Sequence, residues 1–297
     1  MSFQNDLVVR LALPVLGAKR RFSDAERMRR HIARRAARPA RFAPPRWLGG
    51  GLAVDLSHAD GWPVYEIKPR AARPLRHLVY FHGGAYVNEI VLWHWLMLAR
   101  LAARGPSRCF VPIYPLGAAL GAEQTVTVAT AIVRDLIDGV GAEQVVLAGD
   151  SAGGGMALAV AQALCDEGVR PRRLILIAPW LDVAIEDRRS RAIEPRDAML
   201  GIPGLREAGR AYAKGLPLED PRVSPIHGEM GGLPPLSTFV GSEDLLNPDS
   251  HRLREACDAA GVACELIEAP GMPHAYPVFP TPEGRAAVRQ IAVCLRR

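Results

Sequence analysis

A serine set between two glycines, Gly149-Asp150-Ser151-Ala152-Gly153, follows the apolar run Val145-Val146-Leu147-Ala148 and precedes the small-residue run Gly154 to Leu164. Gly-x-Ser-x-Gly between a buried strand and a helix forces a sharp reversal that lifts the Ser151 hydroxyl out of the turn. A Cβ at position 149 or 153 would strike neighbouring backbone there. The following helix aims its unpaired N–H groups and positive dipole end at the serine, favouring negative charge that develops beside it. Ser151 is the candidate nucleophile, and the N–H of Ala152 is one donor to an oxyanion.

Upstream, the apolar strand His77-Leu78-Val79-Tyr80-Phe81 stops at His82-Gly83-Gly84-Ala85-Tyr86. An oxyanion needs more than one N–H, and bare glycine backbone at Gly83 and Gly84 can approach a carbonyl oxygen closely. A serine hydroxyl is weak until a base takes its proton, and in this arrangement the chain order is serine, acid, histidine. Downstream of Ser151 lie His227, His251 and His274. Only His274 falls on a loop between a late strand and the last helix, so it is the expected base. Asp244, just past the strand Ser237–Gly241, is the expected acid, with Glu243 and Asp249 as competitors; Asp249 also reads as a helix N-cap.

These residues need a scaffold that brings strand ends together. Strands are expected near 64–68, 78–82, 108–114, 145–149, 174–178, 237–241 and 264–268, and helices near 92–104, 123–138, 153–167, 250–260 and 283–295. That alternation predicts an α/β protein with a mainly parallel, doubly wound sheet and helices on both faces. Residues 1–45 read as an amphipathic helical arm, and 46–297 as the core. The stretch 185–226, with a helix expected at 203–214, breaks the alternation and is longer than an ordinary connection, so arm and insertion are expected to form a helical cap over Ser151.

The 297 residues, 49% hydrophobic, suffice for one large core. The net charge of +6 is Arg-dominated and many of the arginines crowd the first fifty residues; without an aromatic ladder or finger spacing it reads as a solvated helix face and not a nucleic-acid surface, with contact to a membrane surface or an acidic partner as the alternative. The five cysteines, Cys109, Cys165, Cys257, Cys264 and Cys294, are scattered and suit reduced thiols in a cytoplasmic protein. Residues 7–13 are too short and too charged to span a membrane, and integral membrane association is not expected. There is no His-Glu-x-x-His, no close cysteine pair and no phosphate loop, so no metal or cofactor is expected.

Taken together, His82-Gly83-Gly84-Ala85, Gly149 to Gly154, Pro179-Trp180-Leu181-Asp182, Asp220 to Pro225, Gly241-Ser242-Glu243-Asp244 and Gly271-Met272-Pro273-His274 resemble the bacterial hormone-sensitive-lipase-like family of α/β-hydrolase esterases, over about residues 75–297. The resemblance implies an α/β-hydrolase fold and a carboxylic-ester hydrolase with a Ser151–His274–Asp244 triad and a small-molecule ester substrate. Amide hydrolysis and a non-catalytic ligand-binding role are the alternatives, and the oligomeric state stays open between monomer and homodimer. Tyr86, Trp180 and Tyr276 are expected to line the substrate pocket. Two departures stand out: Ala85 replaces the family's usual third glycine, and Val111-Pro112-Ile113-Tyr114-Pro115-Leu116 replaces its Asp-Tyr-Arg-Leu-Ala-Pro run.

Overall fold

The structure, a computed structural model, describes Ser2, Leu7 and residues 17–71, 74–105, 107–117 and 119–297. The first part of the expected arm lies outside the described residues. The sheet has eight strands: β1 (Leu52–Ala59), β2 (Trp62–Pro69), β3 (Arg76–Phe81), β4 (Ser107–Pro112), β5 (Val145–Asp150), β6 (Arg173–Ile177), β7 (Leu236–Gly241) and β8 (Cys264–Ala269). Their spatial order is β1-β2-β4-β3-β5-β6-β7-β8. β1 and β2 join antiparallel at one edge, and every pair from β4 onward is parallel.

Parallel strands are covered on both faces, so they read as continuous apolar runs. All six residues of β5 and of β7 are buried. Alternate side chains feed two cores: Val79, Phe81 and Leu147 point to one, Leu78, Tyr80 and Val146 to the other. The first core is closed by α4 (Ala122–Val140), α5 (Ala152–Asp166) and α8 (Asn247–Ala259), the second by α3 (Leu92–Arg104) and α9 (Pro282–Cys294). Helix α5 is buried nearly all round, which its Ala- and Gly-rich sequence permits by letting it lie close on the sheet.

The arm contains α1 (Ala18–Phe22) and α2 (Ala25–Ala37); the 185–226 stretch contains α6 (Arg188–Ile193) and α7 (Ile202–Ala213). These segments pack on each other. Phe22 backbone runs so close over Gly201 and Gly204 that a Cβ at 204 would lie 2.5 Å from Phe22 Cα. Lys19 Nζ donates to the carbonyls of Glu194 and Leu200, each at 2.6 Å, and Arg29 pairs with Glu207 at 3.2 Å. Two elements escaped the sequence reading. Strand β1 is an edge strand with half its residues exposed and an apolar run of only three, Leu52-Ala53-Val54, and α6 is only six residues long.

Candidate active site

Ser151 stands between β5 and α5 at φ 52°, ψ −122°, and its N–H donates to Ile177 O at 2.8 Å. The flanking glycines are sterically required. A Cβ on Gly149 would lie 2.1 Å from Gly153 O, and one on Gly153 would lie 2.1 Å from Phe81 O. Close packing of elbow against β3 therefore brings the His82 loop beside the serine. Ser151 is 6% exposed.

Asp244 and His274 follow β7 and β8, the second and third strands beyond β5 on one side, and all three residues leave at strand carboxyl ends. Neighbouring strands lie about 4.8 Å apart, so loops must close the remaining gap. Gly241 allows it: a Cβ there would sit 2.1 Å from Met272 O, so the His274 loop folds directly over the end of β7. His274 Nδ1 donates to Asp244 Oδ2 at 2.9 Å, with both side chains buried. Asp244 Oδ1 accepts from Leu246 N at 2.9 Å. This leaves His274 Nε2 as the free ring nitrogen. No hydrogen bond joins it to Ser151 Oγ in this conformation, and such contacts often tighten only around substrate. Burial alone would lower the His274 pKa, but the charge and hydrogen bond of Asp244, with the charges of Asp197 and Asp150, raise it above the ordinary imidazole value. The competing acids are occupied elsewhere: Glu243 pairs with Arg196 at 2.8 Å and Asp249 with Arg252 at 3.0 Å.

The oxyanion loop needs one correction. Gly83 N–H, expected to face a substrate, donates to Asp150 Oδ1 at 2.7 Å. Gly83 is still required, because a Cβ would lie 2.1 Å from Asp150 Oδ2. Among the described residues, the N–H groups of Gly84 and Ala85 find no acceptor, which makes them, with Ala152, the available donors. Asp150 also accepts from Tyr80 Oη at 2.5 Å and from His94 Nε2 at 3.1 Å. Burial would raise its pKa, but the His94 charge and the bonds from His94, Tyr80 and Gly83 hold it below the usual carboxylate value. Thus the residue preceding the nucleophile braces the loop opposite it. His82, pushed down to about 4 by burial, stays neutral and donates from Nδ1 to Gly83 O at 2.7 Å. Tyr114, in the departing 111–116 run, stacks on His82 at 4.3 Å and donates to His82 O at 2.6 Å, so this run supplies its own brace.

Tyr86 and Trp180 are not open pocket surface. Tyr86 stacks on Tyr212 of α7 at 3.6 Å and 5°, and Trp180, 5.9 Å away, is fully buried and donates to Asp182 O. These rings fasten the 185–226 segment to the oxyanion loop. Tyr276 is also buried, its phenol pushed up to about 12 by burial.

A family model for the alpha/beta hydrolase fold matches residues 78–278, a span containing every residue of this constellation. The chain belongs to the α/β-hydrolase family. Within it, this hydrolase stands among the hormone-sensitive-lipase-like esterases. An acetyl-hydrolase of Streptomyces hygroscopicus is 34% identical over 227 residues, covering 74% of this chain and 75% of that protein. A triacylglycerol lipase of Mycobacterium tuberculosis is 32% identical over 254 residues, covering 84% of this chain; the chain spans about half, 53%, of that lipase's length. The solved structure of a hormone-sensitive lipase from a metagenome library superposes with a TM-score of 0.82 at 25% identity, over 97% of each chain.

The hydrolase's site has supports that no motif announced. His31 of α2 donates from Nε2 to Asn88 Oδ1 at 2.7 Å, and Asn88 Nδ2 donates to Gly84 O at 3.0 Å. Because Arg34 donates to His31 Nδ1 at 3.3 Å, the imidazole is neutral with its proton on Nε2. Burial, outweighing the Asn88 bond, lowers its pKa in keeping with this. Asp197, between α6 and α7, accepts from Leu200 N and from Leu245 N, next to Asp244. Burial first, and the Asp244 charge second, raise Asp197 to about 6. A cavity of about 270 Å³ lies between the arm and the oxyanion loop, lined by Ile32, Phe42, Trp62, Val87, Tyr114 and Leu116 among others. Ser151 and His274 do not line it. Among the described residues no cluster of acids, histidines or cysteines could hold a metal ion.

Proposed function

We propose that the protein is a serine carboxylesterase for short- to medium-chain esters, working by two acyl transfers. Ser151 Oγ attacks the ester carbonyl while His274 Nε2 takes its proton, and the imidazolium is stabilised by Asp244, which keeps its negative charge. The tetrahedral oxyanion rests on the N–H groups of Ala152, Gly84 and Ala85, at the positive end of α5. His274 passes the proton to the leaving alcohol, then deprotonates the water that releases the acid.

The observation that carries this reading is the buried 2.9 Å bond from His274 to Asp244 at strand ends beside the strained serine turn. The acetyl-hydrolase of Streptomyces hygroscopicus, 34% identical, supports the short-chain preference. The five unpaired cysteines, four of them buried, favour a cytoplasmic location. No helix among the described residues is long and apolar enough to cross a membrane.

The test is a p-nitrophenyl ester series from acetate to palmitate with wild type and Ser151→Ala. Turnover should peak at the short end and drop by roughly a millionfold in the variant. Near-wild-type hydrolysis by Ser151→Ala would refute the proposal.

A further inference from the structure

Residues 17–46 carry eleven Lys and Arg against Asp24 and Glu26, a net +9; the chain as a whole is +6, so everything outside this arm sums to −3. Helix α2 turns Met28 and His31 inward and its arginines outward. Arg20, Arg21, Arg27, Arg30 and Arg34 border one open hollow of about 390 Å³. Among the described residues, Arg30 reaches the exposed Glu26, at 3.4 Å, and Arg27 leans on the Arg20 carbonyl. The Arg21 pKa is lowered by burial and then by the Arg34 and Arg35 charges, a sign of guanidiniums crowding one another.

Arg21 also borders a second hollow, which runs past Arg35 and Arg41 to Val91 and Leu92 at the start of α3. Val91, Leu92 and Trp93 are three consecutive large apolar residues, 49%, 42% and 36% exposed. Leu92, Leu96, Arg100 and Arg104 recur every fourth residue, one stripe of α3. A third hollow joins Leu96, Arg100 and Arg104 to Trp47, at 63% the most exposed large apolar side chain among the described residues. Arginines of the arm, an exposed aliphatic and aromatic ridge, and a further pair of arginines therefore form one continuous belt.

We propose that this belt docks the protein reversibly on an anionic lipid bilayer, its arginines over headgroup phosphates and the ridge of Val91, Leu92, Trp93 and Trp47 sunk to the acyl boundary. Cationic residues beside exposed Leu and Trp are what an interfacial surface presents, and neither part would suffice alone. The sequence favours a solvated face over membrane contact for these arginines because it does not show that the α3 ridge lies against them. Nucleic acid is the weaker partner: Trp47 and Trp93 can stack on bases, but Val91, Leu92 and Leu96 between them interrupt any stacking path and offer nothing to a phosphate. The proposal stands independently of the hydrolytic reading.

The test is co-sedimentation of the full chain with phosphatidylcholine vesicles with and without phosphatidylglycerol, at low and high salt. Wild type should sediment only with the anionic vesicles and be released by salt. Each surface arginine is worth about fivefold in partitioning, so the triple variant Arg20→Gln, Arg27→Gln, Arg30→Gln should bind about a hundredfold more weakly. Leu92→Ser with Trp93→Ser should also weaken binding at low salt, while both variants keep the wild-type melting curve. Equal sedimentation with both vesicle types would overturn the proposal. So would full binding by the Leu92/Trp93 variant, or tighter binding to a short duplex oligonucleotide than to the anionic vesicles.

Discussion

Ser151, Ala85 and Tyr86 all hold positive φ, at 52°, 55° and 59°, conformations that L-residues adopt at a cost of about 1–2 kcal/mol each. Three of the eight such non-glycine residues described fall on this turn and the loop facing it, where geometry is held against local preference. Ala85 departs from the family glycine, and the structure gives the consequence. Ala85→Gly should relieve that strain, less the unfolded-state entropy that glycine adds, for a net stabilisation of about 0.5–1 kcal/mol with activity retained, read from thermal melts. Asp244→Asn should keep the fold but lower kcat by about ten-thousandfold, because the His274 tautomer is no longer enforced. At this scale the strained Ser151 turn and the Asp244–His274 bond were legible, since a Gly-x-Ser-x-Gly turn, a strand-end acid and a late loop histidine each leave a sequence signature. The role of Gly83 was not: that its amide serves Asp150 depends on the carboxylate turning back across sixty-seven residues, which no local pattern encodes.

Among elements, the decisive relation is between arm and oxyanion loop. Gly84 sits at φ 134°, and its carbonyl accepts from the Asn88 N–H and side chain, while Asn88 is held by His31 of α2. A helix far from the nucleophile turn in sequence thus sets the carbonyl of Gly84, whose amide we propose as an oxyanion donor. His31→Ala should lower kcat by about ten- to a hundredfold, leave KM within a few fold, and be partly rescued by His31→Gln, which can still donate to Asn88. A change in KM alone would instead make His31 a substrate-pocket residue. The parallel strands and their helices were readable because burial on two faces writes long apolar runs and 3.6-residue periods. Edge strand β1 and the pairing of arm with α7 were not, because the first is largely solvated and the second is set by packing between segments about 180 residues apart.

Over the whole molecule, buried carboxylates give the pH behaviour. Arg252 Nη1 lies 3.0 Å from both Asp182 and Asp249, so one guanidinium compensates two acids, and burial followed by the Asp182 charge raises Asp249 to about 7. A folded pKa above the unfolded value stabilises the protein at low pH, and that contribution is lost as pH rises through about 6 for Asp197 and about 7 for Asp249. Asp249→Asn should therefore gain stability relative to wild type as pH rises from about 4 to about 7 and level off above that, in melts taken at a series of pH values. Activity has the opposite sense. In the proposed mechanism His274 acts as the neutral base, so the raised pKa places the acid limb of kcat/KM above 6.5, and Asp197→Asn should move that limb to lower pH by removing one of the charges that raise it.

The most direct measurement is mass spectrometry of the protein quenched during turnover of p-nitrophenyl acetate. An added acetyl group on the peptide containing Ser151, present in wild type and in a slowly deacylating Asp244→Asn variant and absent in Ser151→Ala, is the expected result. Acetyl on any other residue, or rapid hydrolysis by Ser151→Ala with no covalent adduct, would contradict the account.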